Sequence, residues 1–311
     1  MLFIINPTAA RGRAARDWFD ARKELQRSGI SLTERFTTRP AEATEIARQA
    51  LIYGEKTIVA VGGDGTLNEV INGYFDDHGL AHDTEAAIGL LPSGTGSDFR
   101  RSLGLLTRKD AIAALESHKT QMLDVVRVEL QKRGCCPIMR YSINVISLGL
   151  GGDTATLVNS WRETWPRWLS GQVRFVVAAL VSLNRYRNHH VRLLIDGQRE
   201  FNIKSNFIVV ANGRYAGGGM MLAPHAEFND GLMDVVLTDG VTRLEIVKEL
   251  PGIRRGAHLG NPKVIELRAR QVAITSDNPL SVDIDGEPAG YTPACMSILP
   301  SALKFIVKSR S

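Results

Sequence analysis

Through about residue 125, apolar runs short enough to be strands alternate with stretches of helical period, and this alternation restricts the fold more than any other feature of the chain. LFIIN reads as a short buried strand; the stretch from Ala14 to Ser28 then repeats Ala14, Trp18, Ala21 and Leu25 at helical spacing until Gly29 ends it. ISLTERFT reads as a second strand, AEATEIARQALIY as a helix closed by Gly54, and TIVAV as a third strand. Leu67, Val70, Ile71 and Tyr74 mark the next helix, ahead of the strand AAIGLLP. A parallel crossover needs a dozen or more residues, and these units supply them. The expectation is an α/β N-terminal domain with a doubly wound parallel sheet covered by helices on both faces.

After QMLDVVRVEL the texture changes. HVRLLID, NFIVVAN, MDVVLTD, VIELRA and QVAIT are strand-like runs separated by Gly, Asp and Asn rather than by helices, which predicts a mainly antiparallel β domain. One helical candidate, from about Asp153 to Arg187, carries Trp161, Trp165 and Trp168 and is broken near Pro166. The tail SALKFIVKS reads as one more strand, and the pattern alone does not say which domain it joins. At 311 residues and 44% hydrophobic, the chain is long enough for two cores.

Lysine and arginine outnumber aspartate and glutamate by 38 to 33, a net charge of +5 that suits anionic surfaces or nucleotides as well as plain solvated faces. Three cysteines, two of them adjacent as Cys135-Cys136 with Cys295 distant, make neither a disulfide framework nor metal-ligand spacing. The N-terminal MLFIINPTAARGR has no charged region before its apolar run, and FVVAALVSL falls short of a membrane span. The expectation is a soluble, cytoplasmic protein.

The stretch TIVAVGGDGTLNE packs Gly62, Gly63, Asp64 and Gly65 into the exit from a strand. Loops leaving the carboxyl ends of strands are the usual ligand positions of an open α/β sheet. Glycines there permit close backbone approach, and the following helix N-terminus offers free N–H groups to an anion. The dinucleotide fingerprint needs a glycine where Asn68 stands, and no Gly-Lys-Ser/Thr is present for a Walker loop. Asp64 would repel phosphate unless a cation intervened, which points to Mg²⁺ carried with a nucleotide. LLPSGTGSDF repeats the arrangement one strand later with Ser93, Thr95 and Ser97, and with Asp98 placed to orient the neighbouring loop; NPTAARGRAA adds Asn6, Arg11 and Arg13.

GGDGTLNEVING followed by LPSGTGSDFRRSLG resembles the diacylglycerol kinase catalytic-domain family, most closely its soluble bacterial lipid kinases of the YegS-like branch. LDVVRV, NVISLGLGGD, ANGRYAGGGMMLAPHAEFNDGLMDVVL and DIDGEP follow in the family's order, so the match spans essentially the whole chain. GGDGT alone also occurs in NAD kinases. The resemblance implies an NAD kinase/diacylglycerol kinase-like fold: a nucleotide-binding α/β domain over 1–126 and 297–311, a β-sandwich lipid-substrate domain over 127–296, and an active site in the cleft between them. Carried over residue by residue, ATP contacts fall on Asn6, Thr37 (with Thr38 as the alternative), Gly62, Gly63, Asp64, Gly65, Thr66, Leu67, Asn68, Glu69 and Thr95.

Asp-Gly is a favoured hairpin turn, and Asp196-Gly197 sits between strand-like runs just as Asp285-Gly286 does. What separates the second copy is Glu287-Pro288, and the resemblance makes Glu287 the catalytic acid with Asp285 as its partner. It further implies a structural Mg²⁺ at the Asp230 side chain and the backbone oxygens of Glu227 and Leu232, with Asp124 linked to that region. Two departures stand out: Ala9-Ala10 where the family has Ser-Gly, and Ser97 where it has Asn. The implied activity is ATP- and Mg²⁺-dependent phosphoryl transfer to a lipid hydroxyl, with Asp64 helping to place the metal and Glu287 accepting the proton. The partners are then ATP and a lipid at the membrane surface, visited transiently, with no nucleic acid; a homodimer is an open option. The alternatives are a kinase of a soluble acceptor such as NAD and a non-catalytic binding regulator. The tryptophan-bearing stretch is a candidate wall for acyl chains, with core packing as its competing role.

Overall fold

Trp18 lies against Phe3 with ring centroids 4.9 Å apart, where the first helix meets the first strand. The computed structural model describes residues 1–76, 78–93, 98–131, 137–161, 164–166 and 171–308. They form two compact units, Met1–Asp124 with Ser301–Ser311, and Val125–Pro300.

In the first unit, strands β1 (Leu2–Ile5), β2 (Thr33–Phe36), β3 (Thr57–Gly62) and β4 (Ala87–Pro92) alternate with helices α1 (Arg13–Arg27), α2 (Glu42–Ile52), α3 (Asp64–Tyr74), α4 (Phe99–Ser102) and α5 (Arg108–Ser117). All strand pairings are parallel: β1 lies between β2 and β3, and β3 pairs with β4. The chain's end adds a fifth parallel strand, with Lys304 opposite Ala87 and Phe305 opposite Ile88. Spacings of four, three and four put Ala14, Trp18, Ala21 and Leu25 on the buried stripe of α1. Trp18, Ala21 and Leu25 join Phe3, Ile5, Val59, Val61 and Leu115 in one core on one face of the sheet. Ile4, Ile58 and Ala60 point to the other face and are equally buried, where α2 and α3 contact β1 and β3. This is the doubly wound α/β sheet expected from the alternation.

The second unit holds most of β5 (Thr120–Gln131) and β6 (Ile138–Ser142), β7 (Val145–Gly149), α6 (Leu150–Ser160), α7 (Gly171–Ser182), β8 (His189–Ile195), β9 (Arg199–Ser205), β10 (Phe207–Ala211), β11 (Tyr215–Ala216) and β12 (Met220–Met221). It continues through β13 (Met233–Thr238), α8 (Arg243–Glu249), β14 (Val264–Ala269), β15 (Gln271–Ser276), β16 (Ser281–Ile284) and the long β17 (Glu287–Ile306), whose last residues belong to the first unit. One layer runs β14-β13-β10-β7-β16-β17; in the other, β17 also pairs with β5 and β15, and β15 with β8. Period-two alternation sends Ile146, Leu148, Val191, Leu193, Met233, Val235, Val272, Ile274, Val282 and Ile284 into a single core between the layers, the antiparallel β-sandwich.

The helical candidate over 153–187, broken near Pro166, is two helices, α6 and α7, on either side of that break. Trp161 and Trp165 are half-buried and stack on each other at 5.6 Å. Trp168, like Cys135, Cys136, Thr95 and Ser97, lies outside the described residues. Among the described residues no helix is long and apolar enough to cross a membrane.

Candidate active site

β3 ends at Gly62 and α3 begins at Asp64, so Gly63 alone makes the connection. The two glycines have different physical grounds. A Cβ on Gly62 would stand 2.4 Å from Thr66 Oγ1, so Gly62 is required by the helix that folds back over it. Gly63 has an ordinary extended backbone, φ −98° and ψ −168°, and a Cβ there would meet nothing among the described residues within 4 Å. Neither conformation nor internal packing demands a glycine at this position.

The neighbouring loops are tied to this turn. Asn6, at the end of β1, donates from Nδ2 to Thr66 Oγ1 at 3.2 Å while its Oδ1 accepts from the Thr8 hydroxyl at 2.8 Å. The Asp64 carboxylate accepts the backbone N–H of Asp98 at 2.7 Å and that of Phe99 at 3.3 Å. The expected direction, Asp98 orienting the glycine loop, is therefore reversed in these bonds: Asp64 holds the start of α4, and the Asp98 side chain pairs with Arg101 at 3.6 Å. Ser93 N–H donates to Gly62 O at 2.9 Å, closing the second loop onto the first.

Other expected nucleotide contacts occupy structural places. Leu67 is 1% exposed in the core, leaving its backbone as the part able to meet a ligand. Glu69 accepts from the N–H groups of Ala41 at 3.0 Å and Ala43 at 3.2 Å, so its carboxylate caps the N-terminus of α2. Thr37 donates from its hydroxyl to Ile5 O at 3.4 Å, whereas Thr38 bonds Glu42 at 2.9 Å. Asn68 accepts from Asn72 one helical turn on. Ala10, standing where the family has glycine, adopts φ 52°, and Gly12 follows at φ 82°. The left-handed turn of the first loop is thus retained without its usual glycine.

In the second unit, Asp285 and Gly286 form the tight turn between β16 and β17, with φ 51° and 90°. Asp285 is 7% exposed, and its carboxylate accepts from the Ser142 hydroxyl at 2.6 Å and from the N–H groups of Ile143, Asn144 and Val145, each at 3.1 Å. Four donors make it the anchor of the β6–β7 connection. Its sequence counterpart Asp196 has nearly the same backbone, φ 51°, but is exposed, its carboxylate accepting the N–H groups of Arg270 and Gln271 at 2.8 Å each. Glu287 begins β17 opposite Ile284 and is half-buried. Asn159 of α6 donates to Gly286 O at 3.1 Å, fixing the turn from the other side.

A further acid, Asp283, joins this hairpin. Val282 and Ile284 face the sandwich core, so alternation turns Asp283 to the opposite face, where Ser147 donates to it at 2.8 Å. Burial pushes its carboxyl up to about 8; the nearby Asp285 and Glu287 add to the rise and the Ser147 hydrogen bond opposes it. The signal for it in the sequence is an acid at 283 between the apolar Val282 and Ile284, just ahead of the Asp285-Gly286 turn.

The turn at 227–232 presents Asp230, whose Oδ1 accepts the Leu232 N–H at 3.0 Å and whose Oδ2 pairs with Arg268. Carboxylate and carbonyl oxygens are the donor type Mg²⁺ prefers. Yet both oxygens of the carboxylate are engaged, one by the Leu232 N–H and the other by the Arg268 guanidinium. The set does not fit the implied structural cation. Asp234, two residues on and 1% exposed, is raised to about 6 by burial and by Glu266. Asp124 accepts the Ser301 N–H at 2.7 Å, where the chain re-enters the first unit.

Comparison with known proteins agrees with this geometry over both units. Residues 1–128 match the diacylglycerol kinase catalytic domain, and residues 144–307 match the YegS C-terminal NAD kinase beta sandwich-like domain. A diacylglycerol kinase of Mycobacterium tuberculosis (strain ATCC 25618 / H37Rv) is 28% identical over 97% of this chain and 93% of its own length. A Chromohalobacter salexigens protein that bears the name of a YegS-like lipid kinase is 29% identical over 90% of this chain and 85% of its own. In fold, the crystal structure of a diacylglycerol kinase from Bacillus anthracis str. Sterne superposes with a TM-score of 0.70 at 18% identity, covering 99% of this chain and 96% of that one. With both halves matched in order, the chain belongs to the diacylglycerol kinase catalytic-domain family, in its YegS-like branch, and is a kinase.

Proposed function

We propose that the protein is an ATP- and Mg²⁺-dependent lipid kinase that moves the γ-phosphoryl group onto a lipid hydroxyl, diacylglycerol being the acceptor class that its named relatives favour. The observation that carries this reading is Gly63: a glycine with no conformational or packing reason of its own, at the N-terminus of a buried helix, leaves a cradle that a Cβ would fill. Backbone N–H groups at such a terminus suit a phosphate. Asn6 and Thr66 brace the cradle, and Asp64, its orientation set by two amides, is the group to hold Mg²⁺ directly or through water. Magnesium-bound ATP would supply the phosphoryl group and neutralise its charge.

The 1–124 unit with its returning tail serves as the nucleotide-binding domain and the sandwich as the lipid-substrate domain. Glu287 takes the proton of the acceptor hydroxyl, and Asp285, buried under four donors, positions the turn that carries it. Asp283 supports that role because its carboxyl, raised to about 8, stays protonated at neutral pH and adds no charge beside Glu287. Without a spanning helix among the described residues, the enzyme meets its lipid from the cytoplasmic side by transient peripheral contact, which a net charge of +5 assists at an anionic surface.

The experiment is phosphoryl transfer from labelled ATP to diacylglycerol, phosphatidylglycerol, a sphingoid base and NAD in parallel, with the wild type and Glu287→Gln. Label on a lipid with the wild type and its loss with the variant are expected. Label on NAD alone would overturn the lipid reading, and equal incorporation by both proteins would overturn the role of Glu287.

A further inference from the structure

The resemblance implies a cation at the 227–232 turn, but a cationic side chain already stands among the donors. Strand β13 sends Met233, Val235 and Leu237 into the sandwich core, so Asp234 emerges on the other face. The antiparallel register sets Arg268 of β14 directly across from it. From there the Arg268 guanidinium reaches Asp230 with one terminal nitrogen and comes within 3.8 Å of Asp234 Oδ1 with Nε.

We propose that Arg268 takes the place of the structural cation in this chain: its guanidinium bridges Asp230 and Asp234 and pins the 227–232 turn to the β13–β14 edge without a bound metal.

The charge balance of the cluster supports this. Asp234 is 1% exposed, and neither of its carboxylate oxygens accepts a hydrogen bond from the described residues. A buried carboxylate in that position needs a nearby positive charge. The other cations close by are committed: His225 pairs with Glu266 at 2.9 Å, and Arg214 donates from Nε to Ala226 O at 2.9 Å. Arginine suits the task because its planar fork addresses two carboxylates at once and is weakly hydrated. Mg²⁺ would require oxygens at about 2.0–2.1 Å in near-octahedral order and sheds water reluctantly. To bind Asp230 it would have to expel the guanidinium and leave Asp234 without its partner.

The test uses the full chain without ATP, so that nucleotide-bound metal does not contribute. Mn²⁺ titrated into the wild type and followed by its EPR signal should show no stoichiometric site that depends on Asp230, and Tm should be the same with and without millimolar Mg²⁺. Arg268→Gln should lower Tm by several degrees, part of which Mg²⁺ restores once the carboxylates are released. Stoichiometric Mn²⁺ binding by the wild type that disappears in Asp230→Asn would overturn the proposal, and so would an Arg268→Gln protein with the wild-type Tm. Should Arg268→Gln fail to fold, the wild-type and Asp230→Asn titrations decide the question alone.

Discussion

Asp64 and Asp98 are joined by a 2.7 Å hydrogen bond in which the Asp64 carboxylate accepts the Asp98 backbone N–H. The acid of the first glycine loop thereby fixes the start of the helix that follows the second. Asp64→Ala should lose both the amide acceptor and the metal-placing carboxylate, costing about 1.5–3 kcal/mol of stability together with activity. Asp64→Asn keeps an acceptor oxygen and should recover most of the stability but little of the rate. Denaturant unfolding and lipid phosphorylation measured on both variants separate the two roles.

Gly62 and Gly63 should respond in opposite ways to alanine. At Gly62 the new methyl collides with Thr66, so Gly62→Ala is expected to lower Tm by an overpacking cost of roughly 1–3 kcal/mol. At Gly63 the backbone tolerates alanine and the methyl meets no atom of the described residues, so stability should fall by no more than the roughly 1 kcal/mol of a helix-cap change while the KM for ATP rises. A Gly63→Ala enzyme with unaltered ATP kinetics would remove the cradle from the mechanism.

Asp285 and Glu287 are two residues apart and should fail differently. Asp285→Ala strands the Ser142 hydroxyl and three amides in a buried turn, a loss expected to exceed about 3 kcal/mol or to prevent folding. Glu287→Gln should fold normally and lose about 10²–10⁴-fold in kcat. Circular dichroism melts beside steady-state rates distinguish these outcomes.

Asp283 predicts a pH dependence of stability whose sign is fixed by burial. Its carboxyl is raised from an ordinary 3.8 to about 8, so between those values the folded protein holds a proton that the unfolded chain has released. Its contribution is complete below about pH 4 and is lost as the pH rises through about 8, with a slope of at most about 1.4 kcal/mol per pH unit. Asp283→Asn should flatten this part of the Tm-versus-pH curve. An identical slope in the variant would assign the dependence to other groups.

Ala10 adopts a left-handed backbone, φ 52°, that glycine reaches without strain. Ala10→Gly should therefore raise stability by roughly 0.5–1 kcal/mol, because the relief of the Cβ contact outweighs the added freedom of the unfolded chain. A lower Tm would mean that the first loop gains more from a restricted unfolded state than it loses in strain.

The α/β unit was legible because its strands and helices differ in period: Ala14, Trp18, Ala21 and Leu25 can share a face only on a helix, and TIVAV can be buried on both sides only as an inner strand. The glycine loop was legible because glycines cluster where β3 gives way to α3, and at Gly62 the helix folding back leaves no room for a Cβ. Individual roles inside the site were less so. Glu69 stands in the family motif, yet its carboxylate caps α2, a helix that ends seventeen positions before it. The 153–187 stretch was legible as helical with a break near Pro166, because proline removes a backbone donor, and α6 and α7 lie on either side of it.

By itself, then, the sequence determined the order of elements, the two-part architecture and the position of the glycine loop, all of which rest on local period and on what glycine permits. Only the tertiary structure decided what each acid does. Asp196 and Asp285 have the same dipeptide and almost the same φ, but one lies in solvent and the other under four donors, while Asp283 and Asp234 owe their raised carboxyls to strands that turn them away from water. The register that places Arg268 across from Asp234 likewise has no local signature. Desolvation and charge pairing depend on which residues meet across distant strands, and that is a property of the folded chain.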